Sequence, residues 1–149
     1  MKKTGEYTCR GSIRTDRTLN RIILDDGRFD TAYRVVEFEL APHTTGSTTA
    51  QVYTGKLLTN DDQTAGENWH WDRQGEIAWA MFAFDANGVS TPNVVTTVDP
   101  DNLVVQDLFV LADEGVGADV KVNYMIKMEK YDITDSQGAL AMVRNRSQA

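Results

Sequence analysis

Near the C-terminal end of the chain, Val120, Val122, Tyr124, Ile126 and Met128 alternate with Lys121, Asn123, Met125, Lys127 and Glu129. Successive side chains of a strand point to opposite faces, so this stretch reads as a strand with one dry and one wet side. It runs into Thr134-Asp135-Ser136-Gln137, a capping-box pattern that predicts one short α-helix over residues 134–146. Leu140 and Val143 share a face of that helix, while Arg144 and Arg146 suit its negative C-terminal end. So short a helix is marginal alone and must dock, on its own sheet or on a neighbouring chain.

Upstream, strand candidates alternate with turn chemistry. Glu6 to Ile13 places Tyr7, Cys9, Gly11 and Ile13 on one face. Asn20 to Leu24 ends at Asp25-Asp26-Gly27, and Arg34 to Leu40 ends at Pro42, which cannot donate to a sheet ladder. Thr49 to Leu58 is rich in Thr, Val and Tyr. A long polar loop spans Thr59 to Gln74, and Ile77 to Phe84 follows, so continuously apolar that it reads as covered on both faces. Val94 to Val98 reads as an edge strand between Pro92 and Pro100. Leu103 to Leu111 is a further apolar run, and Asp113 to Ala118 reads as a turn before the final strand. Short strands without helices between them imply antiparallel pairing, because parallel strands need long crossovers.

The expected fold is therefore all-β, an antiparallel two-sheet β-sandwich over residues 1–149 with one C-terminal helix. An eight-stranded jelly roll fits the strand count, and an immunoglobulin-like sandwich fits nearly as well.

The chain's 149 residues suit one domain with a real core. A single cysteine, Cys9, allows no intrachain disulfide and reads as a small apolar group facing the core. Lys2 and Lys3 have the charge of a leader, but no apolar run follows them, and no segment is long enough to span a bilayer. The expected setting is cytoplasm-like. Net charge is −7 and unevenly spread: residues 1–34 carry eight Lys/Arg against five Asp/Glu, whereas residues 57–120 carry Arg73 against twelve acids. That acidic middle argues against a surface that coats nucleic acid. It reads either as a solvated face or as the partner of a basic end on the next subunit.

No catalytic constellation stands out, and a non-enzymatic protein is expected. His43 and His70 are the only histidines and do not form a metal pair. Asp99 and Asp101 are the oxygen ligands that a Ca²⁺ ion would use, set against their ordinary role in turns. No other cofactor is expected. Trp69 and Trp71 point the same way if extended. They read as a cover for the end of the core, as an inter-subunit anchor, or as a sugar-stacking platform. Trp79 reads as core. The candidate interface comprises Trp69, Trp71, Arg10, Arg14, Arg17, Leu140, Val143, Arg144 and Arg146.

The segments LDDGRFDTAYRVVEFELAP, QGEIAWAMFAF, DPDNLVVQDLFVLA and VNYMIKMEKYDITDSQGALAMVRNRSQ are similar to those of small structural proteins from environmental, marine-type bacteriophages. More broadly, the chain resembles single jelly-roll capsid proteins over most of its length. The resemblance implies a virion structural protein, shell or decoration, that self-assembles symmetrically in the host cytoplasm with copies of itself and other virion proteins. Capsid proteins that package genomes directly often carry a long Arg-rich arm. Here Lys2, Lys3, Arg10, Arg14, Arg17 and Arg21 are sparse and interleaved, so direct genome binding is not implied. The alternative from another class is a carbohydrate-binding module built on Trp69 and Trp71.

Overall fold

The computed structural model describes residues 2–24, 30–43, 51–85, 95–115 and 117–133. The helix expected over 134–146, with Leu140, Val143, Arg144 and Arg146, lies outside the described residues, as does the turn at Asp25-Asp26-Gly27. Within them the chain is all-β: β1 (Lys2–Arg14), β2 (Asn20–Ile23), β3 (Thr31–Pro42), β4 (Gln51–Leu58), β5 (Glu76–Phe84), β6 (Val95–Val98), β7 (Asp107–Glu114) and β8 (Lys121–Asp132). They form two antiparallel sheets, ordered β1-β8-β3 and β2-β7-β4-β5-β6.

The alternation of β8 sets the first sheet. Val122 pairs with Ile13, and Ile126 pairs with Cys9 on one side and Phe38 on the other. These residues face inward with Val35 and Met128. There they meet Tyr53 and Leu57 of β4, Ala80 and Phe82 of β5, and Leu108 and Val110 of β7 in one buried cluster. Two sheets sharing one core face to face make the fold sandwich-like. Cys9 is half-buried and packs against the cluster from its edge. The sheets come close at Gly55, where a Cβ would lie 2.8 Å from Leu40 Cδ1 and 3.2 Å from the Leu111 carbonyl oxygen.

Strand β7 begins and ends later than the apolar run Leu103–Leu111. It takes in Asp113 and Glu114, both buried, although their sequence context reads as a turn. Pairing explains the difference. Arg17 Nε donates to Asp113 at 2.7 Å, and the Ala118 amide donates to one oxygen of Glu114 at 3.0 Å, so both acids are held by the chain itself. Arg17 holds a left-handed backbone, φ 63°, where the chain crosses from the first sheet to the second.

The residues before β7 serve β3 instead. Tyr33 and Val104 exchange backbone hydrogen bonds of 2.7 and 2.8 Å. Buried Asn102 accepts from the Val35 amide (2.8 Å) and donates to the Val35 and Asp99 carbonyls (2.9 and 2.6 Å). This fastens the β3 bulge between Val35 and Glu37, where the ladder with β8 skips a residue.

Candidate functional site

In the second sheet Tyr53, Leu57, Ala80 and Phe82 face the core, so their neighbours Lys56, Leu58, Trp79 and Leu111 project from the opposite face. Such residues should be wet, yet all four are buried. Their cover is the segment between β4 and β5, residues 59–75, which folds back across this face. It is closed at its base by the Thr59 amide donating to the Gly75 carbonyl at 2.8 Å. That cover is why β5 is apolar on both sides.

The cover is fixed by charge. Lys56 Nζ uses its three protons on the Ala65 carbonyl (3.0 Å), the Asn68 carbonyl (2.7 Å) and Glu76 Oε2 (3.0 Å). Glu76 in turn accepts from the His70 amide (2.8 Å) and the Trp79 indole (3.3 Å) on Oε1, with His70 Nδ1 at 2.7 Å from Oε2. The Lys56 and Glu76 side chains are 0% and 1% exposed. Burial pushes the Glu76 carboxyl up, but the bonds from His70, Lys56 and Trp79 outweigh it and hold the carboxyl below its ordinary range. The cluster ties the middle of the loop to the sheet.

Above it lies an aromatic step. Trp79 is buried, and Trp71 rests on it with ring centroids 5.5 Å apart while remaining 66% exposed. Trp69 is half-buried on the same loop. At the other end, Asp62 caps the turn through the Thr64 amide and hydroxyl (3.0 and 2.7 Å), and Arg73 Nη1 reaches Asp62 at 3.5 Å. The Thr64 hydroxyl bond holds the Asp62 carboxyl below its usual range against a partial burial penalty. Between this end of the loop and β2–β7 opens a polar cleft of about 690 Å³, lined by Arg21, Asn60, Asp61, Gln63, Asp107 and Phe109 among others.

The five expected interface residues that are described fall in two places. Arg17 pairs with Asp113 and, at 3.6 Å, with Glu67 of the tryptophan loop, so Arg17, Trp69 and Trp71 belong to one neighbourhood. Arg10 and Arg14 lie on the outward face of β1, on the other sheet. There Arg14 is held by Asp119 at 2.7 Å, and Arg10 makes no ion pair among the described residues. The Asp99 carboxylate accepts the Asp101 amide at 3.0 Å, the ordinary turn role weighed for this pair. No group of three or more His, Cys, Asp or Glu able to hold a metal occurs among the described residues. Nor does any helix among them have the length and apolar character to cross a membrane.

Lys56, Glu76 and Asn102 were not singled out by the sequence, and His70 was weighed only as a metal ligand. For Lys56 a signal exists, a lone charge in the run Tyr53-Thr54-Gly55-Lys56-Leu57-Leu58. Its partner, twenty residues on, carries no local mark. No protein-family model matches the chain, and no curated protein matches it.

Proposed function

We propose that this chain is a virion structural protein, a capsid or capsid-decorating jelly roll that acts without catalysis by symmetric self-association. The observation that carries this reading is the strand order. Rolling a long antiparallel hairpin into two Greek keys pairs strands 1 with 8, 2 with 7 and 4 with 5, and sets 8 beside 3 and 7 beside 4. The neighbours β1–β8, β8–β3, β2–β7, β7–β4 and β4–β5 follow that order. Strand β6 departs from it by pairing with β5 rather than β3, although Val104, beyond β6, bridges Tyr33 of β3. Both β1 and β3 are edges of their sheet among the described residues, and unpaired edges are sites at which copies can meet. The test is sedimentation velocity with negative-stain microscopy over a wide concentration range. Discrete oligomers or particles are expected. A monomer at every concentration, absent from particles when co-expressed with other virion proteins, overturns the reading.

One observation favours the second reading, a carbohydrate-binding module: the exposed Trp71 ring braced from below by Trp79, with Trp69 on the same loop. Saturable glycan binding that Trp71→Ala removes would select it, and a flat titration against a glycan panel would dismiss it.

A further inference from the structure

The outward face of the first sheet is a grid read directly from the register. Across β1, β8 and β3 its central rows are Ser12–Asn123–Ala41, Arg10–Met125–Glu39 and Thr8–Lys127–Glu37. Most charges here are satisfied within the chain: Lys127 pairs with Glu37 at 3.0 Å, and Lys3 pairs with Glu129 at 2.6 Å. The row through Met125 is the exception. Neither Arg10 nor Glu39 forms an ion pair or side-chain hydrogen bond among the described residues, and both are exposed. They stand on either side of Met125, about 10 Å apart, twice the spacing of adjacent strands. Around them runs an open groove of about 500 Å³ in which Met125 and Ala41 supply apolar surface. No residue of the second sheet lines it, so it lies on the outward face.

A cation without a counter-charge on one border, an anion that feels only the neighbouring Lys127, already bonded to Glu37, on the other, and an apolar centre make this face complementary to itself. We propose that it is the contact between two copies of the chain, related by a two-fold axis running along β8. Such an axis lays β1 of one copy over β3 of the other, so Arg10 of each meets Glu39 of its mate and the two Met125 side chains meet at the centre. The contact is isologous, each half supplying the same patch. Twisted sheets cross at about 30°, so only rows near Met125 stay in register, and each Lys127 carries its own Glu37 counter-charge. Three strands of about ten residues present roughly 450 Å² in projection. That is below the ~800 Å² per partner of a standard stable interface, so the contact is weak, salt-sensitive and suited to repetition in a larger assembly.

This rests on the reading of the chain as self-associating, and the test separates the two. Association of wild type, Arg10→Glu, Glu39→Arg and the double swap is measured by sedimentation at low and high salt. Each single reversal places like charges together twice and is expected to weaken association about tenfold or more, with the double swap restoring it. Met125→Lys is expected to weaken it as well, with no rescue from the swap. Arg10→Ala and Glu39→Ala replace a reversal that fails to fold. Wild type that associates while the single variants associate equally well overturns this face and leaves self-association standing. A double swap that stays as weak as its parents overturns the Arg10–Glu39 pairing. Wild type that never associates overturns both.

Discussion

The Lys56–Glu76 pair gives the sharpest energetic test. Replacing Lys56 by Met keeps the aliphatic volume but strips Glu76 of its cation and leaves the Ala65 and Asn68 carbonyls without a donor. Removing one partner of a buried pair costs about 3–5 kcal/mol, because the remaining charge stays dry and uncompensated. Against a typical total of ~5–15 kcal/mol, that is a large fraction of the fold's stability. Glu76→Gln should cost about as much, because its amide turns N–H groups toward donors already present on one oxygen's side, either Lys56 and His70 or His70 and Trp79. The double variant holds no stranded charge, so it should cost less than the sum of the singles by about 1–3 kcal/mol. Urea unfolding followed by tryptophan fluorescence measures this, since all three tryptophans lie on or beneath the loop. Costs that add to within ~0.5 kcal/mol, or a Lys56→Met cost below ~1 kcal/mol, would refute the claim that these charges act as one unit.

Further expectations follow from the same contacts. Because the Glu76 carboxyl is held below its ordinary value of 4.5, its contribution is complete above that value. It is lost as pH falls through the lower folded value, so wild type should lose stability below about pH 4.5 more steeply than Glu76→Gln in acid titrations of the unfolding midpoint. Asn102→Ala should destabilise by about 1–3 kcal/mol in thermal unfolding, since the Val35 amide at the bulge loses its acceptor in a buried setting. Gly55→Ala drives a methyl against Leu40 and the Leu111 carbonyl and should cost about 1–3 kcal/mol, with Leu40→Ala partly relieving it in the same assay.

Where burial and alternation coincide, the sequence was a good guide. The inward residues of β8 were legible because a strand with one dry face repeats every two residues, and the double-sided cover of β5 was legible from its unbroken apolar run. Legibility failed where a charge is neutralised at a distance. Asp113 reads as a turn acid because Arg17, which pairs with it, comes from far upstream in the chain. Lys56 and Glu76 lie twenty residues apart on separate strands, and only the returning loop makes their burial intelligible. Trp71 illustrates the reverse: the sequence flagged the residue, but its exposure and its seat on Trp79 depend on how the loop lands.

The last described strand is also the middle of its sheet. Lys2 finds its mate in Asp132 and Thr31 finds its own in the same residue, so β1 and β3 hang on a ribbon that is synthesised after both. A nascent chain must therefore hold two long strands in waiting while the other sheet, whose strands precede β8, has already emerged. Closing so wide a sequence gap carries an entropic cost, and for this sheet it is met only when β8 inserts. Until that moment the face bearing Arg10, Met125 and Glu39 does not exist, and the contact proposed for it has nothing to form on.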